Sequence, residues 1–240
     1  MAVERRAFGD VVVSALVDGT GPFFEDLSSA FPSAGLAGVW ELDFRCFALR
    51  LADGRSVLVD AGIGPSVAGA ETWTPVPGRL PALLSEISLA PGDVSAVVLT
   101  HLHSDHVGWA VVDSAPYFPN ARYVLQRSEF ETVGSRVVSP LFSSGLLDLV
   151  DGRSLVAPGV EVVPTPGHTP GHQSVLVGEG LVVTGDVLVH EVQLADPEVA
   201  YAYESDPELA RFTRLELLAD ARSRGALLAT SHLREAFVLA

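Results

Sequence analysis

The sequence predicts an α/β protein in which β-sheet packs on β-sheet with helices outside. Three observations carry that prediction. The chain has 240 residues, 48% of them hydrophobic, enough to close a sizeable core in a single domain spanning residues 1–240. Short Val- and Leu-rich runs bounded by Gly, Pro or Asp recur along it and outnumber the helical segments. The helical segments interrupt the strand series at intervals, which suits a layered scheme. Periodicity alone leaves an open α/β sheet as the alternative.

The elements follow in order. Val11–Val17 and Ser56–Asp60 read as buried strands. Leu80, Leu83, Leu84 and Ile87 then fall at i, i+3, i+4 and i+7, the spacing of a helix with one apolar face, and Pro91-Gly92 stops it. Val97–Thr100, Arg122–Leu125, Val160–Pro164, Ser174–Val177 and Leu181–Thr184 are further strands, with Gly178-Glu179-Gly180 turning a hairpin between the last two. A second helix starts with Asp206 as N-cap and Pro207 at its first position, and Leu209, Phe212, Leu215 and Leu218 are its expected buried stripe. Ala226–Thr230 is the last strand of the series.

Composition narrows the function classes. The chain carries 30 acidic against 15 basic side chains, all of them Arg, for a formal net charge of −15. Nucleic-acid phosphates and anionic membrane surfaces both demand a basic footprint, so neither is an expected partner. A single cysteine, Cys46, allows no internal disulfide and suits a reducing compartment. No apolar stretch approaches the roughly 20 residues that span a bilayer, and the Met-Ala-Val-Glu-Arg-Arg start lacks the apolar run of a signal peptide. The expectation is a soluble, cytoplasmic protein acting on a small molecule, with homodimer formation left open.

Five apolar runs end in residues of metal-binding type. Ser56–Asp60 ends in Asp60, Val97–Thr100 runs into His101-Leu-His-Ser-Asp-His106, Val160–Pro164 leads to Gly167-His168, Leu181–Thr184 to Gly185-Asp186, and Ala226–Thr230 to Ser231-His232. Strand ends gathered on one rim would make a preorganised site. Within the hexapeptide, His101 and His103 are two apart and face the same way in an extended segment, so they can share one ion. If the chain then turns, Asp105 and His106 project differently and can hold a second. A lone His is ordinarily a structural residue; three His and an Asp within six positions are a metal-binding pattern.

The His-x-His-x-Asp-His motif, followed in order by Gly167-His168, Gly185-Asp186 and His232, resembles the metallo-β-lactamase fold superfamily. His103-Ser-Asp-His-Val-Gly-Trp109 with Phe118-Pro-Asn-Ala-Arg-Tyr123, and Gly185–His190 with Gln193-Leu-Ala-Asp-Pro197, are most similar to its methyl parathion hydrolase and lactonase-type branch. The resemblance covers nearly the whole chain. It implies an αββα sandwich of two packed mixed β-sheets flanked by helices, with the metal site at one edge. It implies two zinc ions per chain, iron or manganese being alternatives. His101, His103 and His168 would hold one, Asp105, His106 and His232 the other, and Asp186 would bridge them. The implied activity is hydrolysis of an ester, lactone or phosphotriester by a hydroxide shared between the ions, with Asp105 also orienting that hydroxide or receiving its proton.

Supporting roles follow. Asp60 is expected to hydrogen-bond a ligand His or its loop, and His172 to support its loop instead of binding metal. His190 lies four residues past Asp186, either at the pocket mouth or exposed. Phe23, Phe24, Phe31 and Trp40 lie in a Gly/Pro/Ser-rich stretch expected to form a loop over the metal rim, with Trp73 and Trp109 joining them, and such an apolar cover favours a hydrophobic neutral substrate. The sequence also departs from relatives. Cys46 does not occupy the bridging position that one β-lactamase subclass fills with Cys, and no Lys is present to grip a drug carboxylate, although β-lactam hydrolysis stays an alternative. Many lactonases carry Tyr three residues after the bridging Asp; here that position is Val189. A mononuclear iron enzyme resembling persulfide dioxygenases is the alternative from another reaction class.

Overall fold

The computed structural model describes residues 3–65, 76–133 and 138–240. The N-terminal half builds a seven-stranded mixed sheet. β1 (Glu4–Phe8), β2 (Val11–Asp26), β3 (Val39–Arg50) and β4 (Ser56–Val59) pair successively antiparallel. β5 (Val94–Val98) joins β4 in parallel. A small ribbon of β6 (Val111–Val112) and β7 (Ala115–Pro116) intervenes before β8 (Arg122–Gln126) and β9 (Leu147–Val150) extend the sheet in parallel. Helices α1 (Leu27–Ala30), α2 (Leu80–Glu86), α3 (Ser104–Val107), α4 (Arg127–Thr132) and α5 (Ser139–Ser143) sit in the connections.

The C-terminal half forms a six-stranded mixed sheet in chain order. Its strands are β10 (Ser154–Ala157), β11 (Val160–Pro164), β12 (Gln173–Val177), β13 (Leu181–Val183), β14 (Leu227–Ala229) and β15 (Phe237–Leu239). Only β13 and β14 are parallel, because α6 (Glu191–Ala195) and α7 (Pro207–Arg224) lie in the crossover between them.

Period-two alternation sorts side chains between layers. Val57 and Val59 of β4 and Ala96 and Val98 of β5 point inward, meeting Val175 and Val177 of β12 and Val183 of β13 in a core shared by both sheets. Leu58 and Val97 point the other way, onto Leu80, Leu83 and Leu84 of α2. On the far side, Val182 and Leu228 pack against Leu217, Leu218 and Ala221 of α7. Helix, sheet, sheet and helix therefore stack as expected. Each fully buried Val or Leu contributes about 1.5–3 kcal/mol.

The expected strands and both helices are present; β11 has the predicted bounds, and the other strands differ by a residue or more at one end or both. Two expectations need correction. The buried stripe of α7 is Ala210, Arg214, Leu217, Leu218 and Ala221; Leu209 and Phe212 are exposed and Leu215 is half-buried. A buried arginine rotates the helix away from its most apolar-looking face. The aromatic stretch is not one loop: Phe23 and Phe24 lie on β2 and Trp40 on β3. Beyond Ala15, β2 is an edge bonded only to β3, where Pro22 costs no ladder bond. Trp73 lies outside the described residues. The strands β1, β3, β6, β7, β9, β10 and β15 are additions to the predicted set.

Two buried arginines lock the loops that leave the strand ends. Arg45 donates from Nη1 to the carbonyls of Thr230 and Leu233 at 2.7 and 2.9 Å. Arg214 pairs with Glu204 at 2.6 Å and donates to the carbonyls of Val187, Pro197 and Val199 at 2.9–3.0 Å. Burial pushes the Glu204 carboxyl up to about 7 against the pull of Arg214. Arg214→Met should cost about 3–5 kcal/mol in urea unfolding by stranding that carboxylate, and Glu204→Gln added to it should recover part of the loss.

Candidate metal centre

The centre is assembled where β4, β5, β13 and β14 run out at their C-terminal ends, together with the turn between β11 and β12. After β5 the chain stays extended through His103, whose φ/ψ of −69°/151° caps the single turn α3. His101 and His103 consequently share a side, their rings 4.5 Å apart. The turn of α3 then swings Asp105 and His106 around to a second position.

Asp60, directly after β4, has φ 62°, a left-handed conformation that costs energy outside glycine. Its carboxylate accepts from the Thr100 N–H and hydroxyl at 2.8 and 2.9 Å and lies 2.8 Å from His106 Nδ1. That contact places the His106 proton on Nδ1 and frees Nε2 for the cluster. His172 does the equivalent for Asp186. Its Nε2 accepts from the Asp186 N–H at 2.9 Å, and its Nδ1 faces the Thr165 carbonyl at 3.1 Å. Burial lowers the His172 pKa to about 4, so the ring is neutral and can accept. Gly185 is required beside it: φ is 54°, and a Cβ there would lie 2.5 Å from His172 Nε2.

Glu129 of α4 is a site residue that sequence reasoning missed. Fully buried, it accepts from the Leu102 N–H at 3.0 Å and the Gly171 N–H at 2.9 Å, tying the two histidine-bearing loops together. Nothing local distinguishes it from an ordinary helix-surface glutamate. His232 is fixed by a contact of Nδ1 with the Asp43 carbonyl at 2.8 Å, beside the Arg45 clamp.

All seven expected ligands meet, in two groups. His101, His103, His168 and Asp186 form one, and Asp105, His106 and His232 the other. Asp186 joins them through separate oxygens. Oδ1 is 3.2 Å from both His106 Nε2 and His232 Nε2, whereas Oδ2 is 3.3 Å from His168 Nε2 and 3.7 Å from His101 Nε2. Asp105 Oδ2 sits 3.5 Å from the same two Nε2 atoms as Oδ1. Ligands about 2.0–2.1 Å from a tetrahedral zinc are separated by about 3.3–3.4 Å, so these spacings suit such an ion. His101 Nε2, His106 Nε2 and Asp186 Oδ1 are buried without a hydrogen-bond partner, a costly arrangement that a cation resolves. The electrostatics agree. Burial holds His101 and His168 well below the usual imidazole range. For His106 burial also opposes charge, but Asp186, Asp60 and Asp105 outweigh it and hold the ring well above that range. The carboxylates thus draw positive charge into the site.

Above the ligands opens a cavity of about 320 Å³. His103, Asp105, His168, Asp186 and His232 line its polar side, and Phe23, Phe24, Trp40, Leu42, Val189, Tyr201 and Tyr203 its apolar side. Two expected pocket residues lie elsewhere. Trp109 is buried against Tyr117 and donates to Asp18, which also accepts from the Ile63 and Leu80 N–H groups. His190 accepts from the Val192 N–H as N-cap of α6, packs on Phe31 and Trp40, and faces a neighbouring cavity. Phe31 is buried behind the wall.

The sequence profile of the metallo-β-lactamase superfamily matches residues 45–232. An N-acyl homoserine lactonase of Bacillus cereus is 29% identical over 145 residues, 58% of this chain and 56% of that protein. One from Bacillus thuringiensis is 29% identical over 185 residues, 69% of this chain and 71% of that protein. The first of these alignments thus spans little more than half of the relative's length. Among solved structures, the dizinc quorum-quenching lactonase AidC superposes with a TM-score of 0.82 at 19% identity, covering 98% of this chain and 92% of its own, a likeness of fold. The geometry generates a selective prediction. Asp60→Asn should weaken the ion beside His106 about 10–100-fold in chelator competition while the His101 group keeps its ion; equal weakening of both would contradict the assignment.

Proposed function

Because the chain belongs to the metallo-β-lactamase superfamily, we propose that it is a metal-dependent hydrolase with a two-ion centre, zinc first. It cleaves an ester, lactone or phosphotriester bond in a small, neutral, largely apolar substrate. The observation that carries this reading is the division of Asp186 between two complete ligand groups, one oxygen to each. His101, His103 and His168 with Oδ2 would hold one ion, and Asp105, His106 and His232 with Oδ1 the other. When bound, the ions would supply Lewis acidity and a water acidic enough to ionise near neutral pH.

The chain's own residues do the rest. Asp60 and His172 keep the proton positions of the ligand shell fixed through their contacts with His106 and Asp186. Asp105, whose side chain is more open than that of Asp186, borders the cavity and is placed to orient water or accept its proton. The aromatic wall excludes water from the reacting bond and takes up the apolar part of the substrate. No arginine is among the described residues lining the cavity, so apart from the metal centre nothing described there would pair with the carboxylate of a β-lactam. The second ligand group supports two ions over a mononuclear iron centre. The Bacillus lactonases make the lactone the leading member of the substrate set. No described helix is long and apolar enough to cross a membrane, and a cytoplasmic location completes the proposal.

Zinc-loaded protein assayed against an aryl ester, an N-acyl lactone and an aryl dialkyl phosphate tests the reading. Turnover of at least one is expected, and fully metallated protein inert to all three would overturn it. Asp105→Ala should lose metal and lower kcat/KM by about 100-fold or more. Phe24, half exposed on the wall, is replaceable without unfolding. Phe24→Ala should raise KM about five- to tenfold for bulky substrates, roughly 1–1.4 kcal/mol of apolar contact; an unchanged KM would remove it from the pocket.

A further inference from the structure

Tyr201 has no role in the ligand shell, yet it is 6% exposed and borders the cavity beside Asp105 and Asp186. It lies between α6 and α7 and stacks on His168 with ring centroids 6.1 Å apart and planes 16° apart. Phe31 and Trp40 pack on it at 5.4 and 6.0 Å, so the ring is held from several sides. Its hydroxyl, however, has no hydrogen-bond partner among the described residues. The buried Tyr123, by contrast, donates its hydroxyl to the Ala110 carbonyl. A buried phenol ordinarily finds a partner. A phenol held rigid on the wall of a reactive cavity, with no protein partner for its hydroxyl, is placed to bond a ligand there.

Resting on the hydrolase reading, we propose that the Tyr201 hydroxyl donates a hydrogen bond to the substrate's carbonyl or phosphoryl oxygen. That oxygen gains negative charge as water adds to the carbon or phosphorus. The phenol keeps its proton, as phenols do at neutral pH, so the hydrogen bond strengthens as charge builds and no proton is transferred. Because the stacked ring is already in place, the donor needs no reorganisation as charge develops. Val189, three residues after Asp186, borders the same cavity with a side chain that cannot donate, which leaves this function to Tyr201.

Tyr201→Phe tests the proposal, since it keeps the stack on His168 and removes only the hydroxyl. The expected result is a 10- to 100-fold fall in kcat, with KM for a neutral substrate changed less than about twofold. Metal content and Tm should match wild type. Affinity for an alkyl phosphonate monoester, a stable tetrahedral anion, should fall about tenfold or more in calorimetry. Unchanged kcat and unchanged phosphonate affinity in Tyr201→Phe, in a preparation whose wild type turns over substrate, would overturn the role of Tyr201 and leave the hydrolase reading standing. A metallated wild type that neither hydrolyses the panel nor binds the phosphonate would sink the hydrolase reading and this proposal with it.

Discussion

The structure turns on one carboxylate. Asp186 is buried among imidazoles, with Oδ1 facing His106 and His232 and Oδ2 facing His168 and His101. Burying a carboxylate in that way is unfavourable unless positive charge compensates it. The imidazoles do so only in part: Asp186 and its neighbouring carboxylates hold His106 and His232 above the usual imidazole range, whereas burial suppresses the charge of His101 and His168. A pair of divalent cations would complete the compensation, and the two ligand groups on either side of Asp186 support that reading.

Much of the remaining fold serves to hold Asp186 and its neighbours still. The left-handed turns at Asp60, directly after β4, and Gly185, two residues past β13, are anchored by Thr100 on the Asp60 carboxylate and His172 on the Asp186 N–H respectively. Glu129 ties the Leu102 and Gly171 backbones together across two loops. Arg45 holds the turn that bears His232, and Arg214 holds the segment from Val187 to Val199 that leads to Tyr201. Rigid ligands lose little entropy on binding an ion, so these buried polar clamps act on the centre without touching it.

How much of this was legible in the sequence depends on the range over which each signal acts. His101 and His103 declare themselves because two-residue spacing and an extended backbone are local facts, and the Val-rich runs before Asp60, His101, Asp186 and His232 announce strand ends without knowledge of the partner strand. The α7 stripe was misjudged because Arg214 satisfies its charge with Glu204 and three carbonyls, something no helical wheel can register. Asp18 and Trp109 are similar. An aspartate in a strand gives no hint that it accepts from residues 45, 62 and 91 positions away, nor that it draws Trp109 out of the pocket. The aromatic wall was half legible: Phe23, Phe24 and Trp40 were identified, but long β-strands carry them where a loop was expected, and Tyr201 and Tyr203 were missed.

The sharpest test is an anomalous difference map recorded at the zinc edge from crystals grown with zinc. Two peaks about 3.5–4 Å apart, with Oδ1 and Oδ2 of Asp186 each touching a different one, are the predicted result. A single peak, or two peaks with Asp186 bound to only one, would contradict the account.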